Sequence, residues 1–415
     1  MKNRKVILAM VGLPARGKTY IAKNLSRYLK WIGFKTRIFN LGDYRRKLSG
    51  TCSNHTFFSI DNEHAVAIRE KCCSEAMIDV CKWLGGDGEV AIFDATNTTR
   101  QRRAFLNSTL AEKMGYSLFF IESICDEQTI VESTVREIKS KNPDYRGKNK
   151  EEAYTDFMKR IDHYQQRYET LNEKQESYVR YLKTFNAGEK VVFYKPNNLI
   201  ENKIINYLRS SHIRSRTIYL TRTGESELNF TRELGRNTRL SARGREYAQV
   251  LSKFINESDI SDLKVLTSSA TRSIQAAALI QAPKQQLKAL NKMNWCEFDE
   301  ATYVETKFPF PQDLTTKTGY RYQHDFTNGE TYDDIIKRLE AVILQIEHEG
   351  NILVISHQKV LQCILAYFLD YSRNEIPNIQ VPQNTLFKLT LSGYDYNLEH
   401  IPFDIPTIDT HEVEG

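Results

Sequence analysis

The stretch from Val6 to Ile32 constrains the fold more than any other part of this 415-residue chain. It reads as a buried strand over 6–11, then a short loop, then a helix whose apolar side chains recur at helical spacing. The loop has the sequence GLPARGKT, which fits the pattern G-x-x-x-x-G-K-[ST]. A strand before this pattern and a helix after it are typical of a phosphate-binding loop. The stretch therefore predicts an α/β domain that binds a nucleotide.

Each part of this loop suits the phosphates of a nucleotide. Backbone N–H groups of the loop and of the helix N-terminus can wrap the phosphates. Lys18 can reach the β- and γ-phosphate oxygens, and the Thr19 hydroxyl can hold Mg²⁺. The predicted nucleotide contacts are Gly12, Leu13, Pro14, Ala15, Arg16, Gly17, Lys18 and Thr19.

Asp94 is the next candidate, because it follows the apolar run 90–93. That position predicts a carboxylate at the carboxyl edge of the sheet, where doubly wound folds bind their ligands. There it could help to hold the metal or take the proton from an attacking hydroxyl, although an aspartate alone could equally cap a helix. The nearby Arg100, Arg102 and Arg103 favour an anion site.

Further strands and helices alternate along the chain, which predicts a mainly parallel sheet flanked by helices. In the first half we expect strands over 36–42, 89–97 and 116–123, a charged helical stretch over 127–182, and a closing strand over 191–195. The polar stretch 209–216 predicts a boundary. After it, the pattern predicts strands over 217–221, 264–268 and 351–356 and helices over 241–256, 271–281, 331–348 and 358–370. We therefore expect two α/β domains, 1–212 and 213–415.

Composition favours small anionic substrates. The net charge is +6, but the 58 basic residues are scattered and form no recognisable nucleic-acid module. The basic start of the chain, before VILAMVGL, imitates a secretory signal, whereas the phosphate loop favours a buried strand there. No run approaches the roughly 20 apolar residues that cross a bilayer. Seven cysteines without a C-x-x-C pair suit a reducing compartment, so we expect a cytoplasmic protein with no nucleic-acid or membrane partner.

Six ordered motifs in the first half resemble the kinase half of the 6-phosphofructo-2-kinase/fructose-2,6-bisphosphatase family. They are GLPARGKT (12–19), FNLGDYRR (39–46), FDATNTTR (93–100), FFIESIC (119–125), PDY (143–145) and DFMKRIDHY (156–164). The resemblance implies ATP and Mg²⁺ as cofactors, fructose 6-phosphate as the sugar substrate, and a homodimer.

The same resemblance implies roles for single residues. Asp94 and Cys125 match positions of the kinase active site, although a buried thiol after a strand favours tuning over catalysis. Residues 134–139 match a nucleotide segment, in which Thr134 replaces the family's usual asparagine. The implied contacts to fructose 6-phosphate are Arg45, Arg69, Thr96, Arg102, Lys139, Arg160 and Tyr164.

The second half resembles the family's histidine phosphatase, a phosphoglycerate-mutase-like α/β domain, through TIYLTRTGESELN (217–229) and the motifs that follow it. The family's catalytic histidine corresponds to Thr223. A threonine hydroxyl is a far weaker nucleophile than imidazole and would give a stable phosphate ester. The general-acid glutamate corresponds to Asp299, although the adjacent Glu300 could substitute for it. An arginine of the substrate pocket corresponds to Asp325, and the other changed positions are Phe310, Asn328 and Gln362.

Other residues of that pocket match the family. They are Arg222, Asn229, Arg272 and His357, which could keep weak anion binding or could persist for packing alone. For His357 both interpretations stay open.

The sequence therefore favours an ATP-dependent 6-phosphofructo-2-kinase that makes fructose 2,6-bisphosphate and has little or no bisphosphatase activity. One alternative is a bifunctional enzyme. Another is a catalytically silent protein that binds metabolites and regulates a partner, which the intact Lys18, Thr19 and Asp94 disfavour.

Overall fold

The structure is a computed structural model, and it describes residues 5–50, 54–141, 143–145, 147, 149–211, 216–227, 237–294, 329–392 and 395–406. The chain divides into two compact units, Met1–Ile213 and Arg214–Gly415. Each unit is built on its own sheet. Among the described residues, no helix is both long and apolar enough to cross a membrane.

The first unit alternates strands with helices. Its strands are β1 (Val6–Val11), β2 (Thr36–Asn40), β3 (Val90–Asp94), β4 (Ser117–Ile124), β5 (Tyr181–Phe185) and β6 (Lys190–Tyr194). Its α-helices are α1 (Lys18–Trp31), α2 (Leu41–Ser49), α3 (Glu63–Gly85), α4 (Arg100–Leu106), α5 (Gln128–Lys141), α6 (Lys150–Gln165) and α7 (Leu199–Ser210). A π-helix spans Asn107–Lys113, and short 3-10 turns span His55–Phe58, Pro143–Tyr145 and Asn186–Gly188.

The sheet of this unit has the strand order β2-β3-β1-β4-β5-β6, parallel except for the β5–β6 pair. Every residue of β1 is buried, so both faces of the sheet are covered. On one face Ile7, Ala9 and Val11 pack in a core cluster with Val80 of α3 and Leu110 of the π-helix. This order places the carboxyl ends of β1, β3 and β4 side by side, which is where such folds bind ligands.

Three predictions for the first unit were wrong in detail, and one of them is the strand expected over 89–97, which ends at Asp94. The helical stretch expected over 127–182 ends at Gln165, and strand β5 follows at Tyr181 after an irregular segment. Buried Glu122 of β4 explains the difference, because it accepts hydrogen bonds from Tyr168, Thr170 and the Leu171 backbone, which a continuous helix would not offer. Strand β2 ends at Asn40 rather than at residue 42, since α2 begins at Leu41.

The second unit has a mixed sheet. Its strands are β7 (Thr217–Arg222), β8 (Lys264–Thr267), β9 (Lys284–Gln286), β10 (Ile352–Ser356), β11 (Thr385–Ser392) and β12 (Asp395–Pro402), in the order β12-β11-β7-β10-β8-β9. Its helices are α8 (Ala242–Glu257), α9 (Thr271–Ala277), α10 (Tyr332–His348) and α11 (Gln358–Phe368), with 3-10 turns at Lys288–Leu290 and Arg373–Asn378. Helix α9 is shorter than the predicted 271–281, and the antiparallel strands β11 and β12 were not predicted.

Strands β7, β8 and β10 are parallel neighbours, so their carboxyl ends meet at one edge. The register pairs Arg222 with Ser356, which brings the residues that follow β7 and β10 close together. Together with the first unit, this confirms the predicted fold class of two α/β domains.

Candidate active site

The phosphate loop is held between the end of β4 and the segment after β3. Gly12 has φ 133°, and a Cβ there would lie 2.5 Å from the Ser123 carbonyl oxygen. Its N–H donates to the Thr96 carbonyl at 2.9 Å, and the Ser123 hydroxyl donates to the Arg16 carbonyl. The first glycine of the motif is therefore needed for both its backbone conformation and its lack of a side chain.

Lys18 and Asp94 form the buried ionisable centre of this site. Burial lowers the pKa of Lys18 to about 7; Asp94 opposes this shift, while Arg16 and Arg160 add to it. Burial raises the pKa of Asp94, against the effects of Lys18, Thr19 and Asn40. Because neither side chain is fully hydrated, the positive charge of Lys18 and the negative charge of Asp94 stabilise each other.

The Asp94 carboxylate has defined partners. Thr19 Oγ1 donates to Asp94 Oδ2 at 2.9 Å, and Asn40 Nδ2 donates to the same oxygen. Thus Asp94 is bonded by the last residue of β2 and by the loop threonine, and it does not act as a helix cap. The cap of α4 is Thr99, whose hydroxyl accepts from the Arg102 N–H.

The oxygen atoms of Thr19 and Asp94 fit Mg²⁺, a hard cation that prefers oxygen ligands. In the part of the chain that the structure describes, no group of three or more His, Cys, Asp or Glu side chains could hold a metal ion. This donor set suits a cation that takes one or two protein oxygens and completes its shell with phosphate and water.

A second group of cations surrounds the 3-10 turn His55–Phe58. The Arg160 guanidinium lies 3.9 Å from the Phe58 ring centroid, and the Arg45 guanidinium lies 5.6 Å from it. Arg69 donates to the carbonyls of Phe57 and Ser59. The turn thus gathers arginines from α2, α3 and α6.

Asp144 is the carboxylate at the centre of these cations. It forms ion pairs with Arg45, with Arg160 at 3.7 Å and with Arg46 at 3.9 Å, and it is buried. Arg46 also pairs with Asp43, so three guanidinium groups are matched by two carboxylates and positive charge remains. Arg45 Nη1 and Arg160 Nε are buried without a hydrogen-bond partner among the described residues. Such an excess of buried donors suits a bound phosphate.

Tyr164 and Arg102 belong to the same neighbourhood. The Tyr164 ring centroid lies 5.9 Å from that of Phe58. Burial lowers the pKa of Arg69, Tyr164 raises it, and Arg167 and Arg102 lower it further, so all of these groups lie near Arg69. The structure therefore places five predicted sugar-phosphate residues near one another: Arg45, Arg69, Arg102, Arg160 and Tyr164.

Three other predicted residues of this unit are Cys125, Thr134 and Lys139. Burial raises the pKa of the Cys125 thiol, so the thiol rather than the nucleophilic thiolate is favoured. The Thr134 hydroxyl donates to the Ile130 carbonyl of its own helix. Lys139 lies in α5. The roles implied for these three residues stay predictions.

Sequence reasoning assigned no role to Asn40, Phe58 or Asp144. Asn40 and Asp144 occur within the recognised motifs FNLGDYRR and PDY, so those motifs were the available signal. Nothing in the sequence marked Phe58, because its contacts join residues about 100 positions apart.

In the second unit, Thr223 lies where β7 and β10 end. It is buried, and its N–H donates to the Ser356 carbonyl at 3.1 Å. The preceding Arg222 donates to the Val381 carbonyl at 2.9 Å. Asn229, Asp299, Glu300, Phe310, Asp325 and Asn328 lie outside the described residues.

His357 is a neutral imidazole in this pocket. Burial lowers its pKa well below the usual value, and Arg272 lowers it further. Arg272 Nη2 lies 3.4 Å from His357 Nδ1, and Ser268 Oγ lies 3.0 Å from Nε2. A guanidinium can only donate, so Nδ1 accepts and Nε2 carries the proton that it donates to Ser268. His357 therefore donates through Nε2 to Ser268 and accepts at Nδ1 from Arg272.

Gln362 has protein partners on both ends of its amide. Its Oε1 accepts from the Tyr332 hydroxyl at 2.8 Å, and its Nε2 donates to the Ile379 carbonyl at 2.9 Å. The side chain is buried and neutral. It supplies no cation to this pocket.

Comparisons with known proteins agree with this arrangement. A family model described as 6-phosphofructo-2-kinase matches residues 1–215, and one described as histidine phosphatase superfamily (branch 1) matches residues 218–403. A 6-phosphofructo-2-kinase/fructose-2,6-bisphosphatase of Aquarana catesbeiana is 43% identical over 99% of this chain and 87% of its own length. Form 4 of Rattus norvegicus and form 1 of Homo sapiens are each 42% identical over 99% of this chain, and the matches cover 88% and 87% of those proteins. With both of its units matched and such relatives along nearly its whole length, the chain belongs to the 6-phosphofructo-2-kinase/fructose-2,6-bisphosphatase family.

Proposed function

We propose that this protein is an ATP- and Mg²⁺-dependent 6-phosphofructo-2-kinase that converts fructose 6-phosphate to fructose 2,6-bisphosphate. The observation that carries the proposal is the closeness of two cationic groups in one unit. Asn40 donates to Asp94 beside the phosphate loop, and α2, which begins at the next residue, carries Arg45 of the arginine cluster. One cluster suits a nucleotide and the other a sugar phosphate, so the two substrates would bind as neighbours.

In the proposed reaction, the sugar 2-hydroxyl oxygen bonds to the γ-phosphorus of ATP. The bond from that phosphorus to the β–γ bridging oxygen breaks, and ADP leaves. The hydroxyl proton passes to the Asp94 carboxylate or to water. Thr19 and Asp94 would hold Mg²⁺, which supplies positive charge beside the β- and γ-phosphates.

The protein residues mainly bind and orient the two substrates. The loop N–H groups and Lys18 hold the nucleotide phosphates. Arg45, Arg69 and Arg160 hold the sugar phosphate and so fix the direction of the 2-hydroxyl. Phosphoryl transfer needs this positioning and charge neutralisation more than covalent chemistry.

Purified wild-type protein and two variants test the proposal. With ATP, Mg²⁺ and fructose 6-phosphate, the wild type should form fructose 2,6-bisphosphate, identified by its lability in mild acid. Lys18→Ala and Asp94→Ala should each lose at least about a hundredfold of the rate, because each removes a charge at the site of transfer. A wild type that forms no bisphosphate would support the silent, metabolite-binding alternative.

We further propose that the second unit has little or no bisphosphatase activity. Threonine occupies the nucleophile position, both ring nitrogens of His357 already have partners in Ser268 and Arg272, and Gln362 is neutral where the family has an arginine. Fructose 2,6-bisphosphate that carries radioactive phosphorus in its 2-phosphate should yield neither a labelled phosphoenzyme nor labelled inorganic phosphate. Release of phosphate at a rate similar to synthesis would instead establish a bifunctional enzyme.

The family resemblance also leads us to propose a cytoplasmic homodimer. Sedimentation equilibrium of the full chain should give twice the 48.2 kDa monomer mass. A monomer over the micromolar range would contradict this. Cell fractionation tests the compartment.

A further inference from the structure

The 3-10 turn His55–Phe58 carries an aromatic side chain that contacts several residues of the sugar-phosphate cluster. Phe58 is 2% exposed. The Arg160 guanidinium lies 3.9 Å above its ring centroid, Arg45 lies 5.6 Å away, and the Tyr164 ring centroid lies 5.9 Å away. Three side chains, one from α2 and two from α6, therefore lie around the Phe58 ring.

The ring is fixed relative to α6. The His55 N–H donates to Asp156 Oδ1 at 2.9 Å, and His55 Nδ1 lies 3.2 Å from His163 Nε2. The Phe58 carbonyl accepts from Arg167 at 3.4 Å. These contacts dock the turn on the helix that carries Arg160, so the ring and the guanidinium keep their relative position.

The ion pair with Asp144 does not fix the plane of the Arg160 guanidinium. The nearest distance between Arg160 Nη1 and Asp144 Oδ2 is 3.7 Å, which is attraction without a hydrogen bond. The face of an aromatic ring at 3.9 Å attracts the cation and also makes it lie in contact with the ring. A long side chain held in one orientation loses less entropy when it binds an anion.

On the basis of the proposed kinase function, we propose that Phe58 is a positioning residue for the sugar phosphate. It touches no reacting atom. Through the negative face of its ring it holds Arg160, and more weakly Arg45, in the orientation that receives the phosphate. Its loss should weaken binding of fructose 6-phosphate and leave ATP binding and the transfer step nearly unchanged.

The sharpest test keeps the shape of the ring and changes its electrostatics. Phenylalanine with one, two or three ring fluorines is placed at position 58 of the full chain, because each fluorine weakens the negative face that attracts a cation. The KM for fructose 6-phosphate should rise with each fluorine, to about tenfold with three. The kcat and the KM for ATP should stay within about twofold.

Two conventional variants complete the test. Phe58→Leu removes the aromatic face and should raise the same KM about tenfold, whereas Phe58→Tyr keeps it and should restore most of the affinity. Phe120→Leu is the matched control, because Phe120 is equally buried but packs in the apolar core of the same unit. Its KM for fructose 6-phosphate should stay within about twofold of the wild type.

The outcomes separate this inference from the proposed function. If the wild type forms no fructose 2,6-bisphosphate, the proposed function fails. If it forms the product but fluorination leaves the KM for fructose 6-phosphate unchanged, the positioning role of Phe58 is wrong and the kinase assignment stands. A KM that rises equally in Phe58→Leu and Phe120→Leu would reduce Phe58 to a packing residue.

Discussion

At the scale of single residues, burial sets the charges on which the proposed reaction depends. Lys18 has a pKa lowered to about 7 by burial, and Asp94 has a raised pKa for the same reason. Both shifts reduce the fraction of Lys18 and Asp94 that is charged, and binding of phosphates and Mg²⁺ needs the charged forms. Bound phosphates and Mg²⁺ would restore them, since an opposite charge favours the ionised form of each group.

The pH dependence of nucleotide use follows from Lys18. Below about pH 7 the free protein carries the ammonium form, and above it the neutral amine prevails. The kcat/KM for ATP, which reports the free enzyme, should therefore fall as pH rises through about 7. Lys18→Arg should lack this alkaline decline, because a guanidinium stays protonated. A wild-type profile that is flat from pH 6.5 to 9 would contradict the assignment.

Gly12 should tolerate no side chain. Gly12→Ala places a Cβ 2.5 Å from a backbone carbonyl at a φ of 133°, and such strain costs on the order of 1–3 kcal/mol before any clash. Chemical denaturation should reveal the lost stability, and a fluorescent ATP analogue should bind at least about tenfold more weakly. Gly85→Ala is the control, since nothing lies within 4 Å of a Cβ there. If the two variants behave alike, the steric argument for the loop fails.

At the scale of elements, the irregular segment between α6 and β5 is held by buried charges. Arg103 Nε and Nη2 donate to the two Glu176 carboxylate oxygens at 2.8 Å and 2.7 Å, and both side chains are almost fully buried. Arg103 Nη1 also donates to the Asn97 carbonyl at 3.1 Å. Glu176 thus ties the irregular segment to the loop that follows Asp94.

Breaking this pair should destabilise the first unit strongly. Glu176→Gln leaves the Arg103 guanidinium buried without its counter-ion, which costs about 3 kcal/mol or more. Urea denaturation at pH 7 measures the loss. Asp87→Asn, which breaks an exposed pair with Lys35, should cost less than about 1 kcal/mol. Equal losses in the two variants would contradict the role of burial.

At the scale of the whole molecule, we predict that the first unit is an active kinase and that the second has little or no bisphosphatase activity. The first matches the phosphate-loop pattern at every fixed position, whereas the second has Thr223 and Gln362 at positions where the family resemblance implies a histidine and an arginine. Thr223 lies in the second unit, so Thr223→Ala should leave synthesis of fructose 2,6-bisphosphate within about twofold of the wild type.

Restoring the nucleophile alone should not restore hydrolysis. In Thr223→His, Gln362 still supplies no cation, and the residue that the resemblance matches to a phosphate-binding arginine is still Asp325. We expect the double variant Thr223→His with Gln362→Arg to exceed either single variant in phosphate release from fructose 2,6-bisphosphate. Brisk hydrolysis by Thr223→His alone would show that one substitution accounts for the loss.

The features that rest on local pattern follow from the sequence alone. The phosphate loop between a strand and a helix, the carboxylate at the end of β3 and the alternation of strands and helices were all readable from neighbours in the chain. The element boundaries were predicted less well where distant residues decide them. The segment 166–180 has a helical composition, but Tyr168 and Glu176 within it bond to Glu122 and Arg103 of other elements.

Which charged side chains form contacts with one another depends on how the chain folds. Arg45 and Arg160 are separated by about a hundred positions, yet both form ion pairs with Asp144 and both lie near the Phe58 ring. The proton on His357 and the lowered pKa of Lys18 likewise depend on burial and on partners from other elements. Contacts of this kind arise from folding in three dimensions, so a pattern of neighbouring residues cannot specify them.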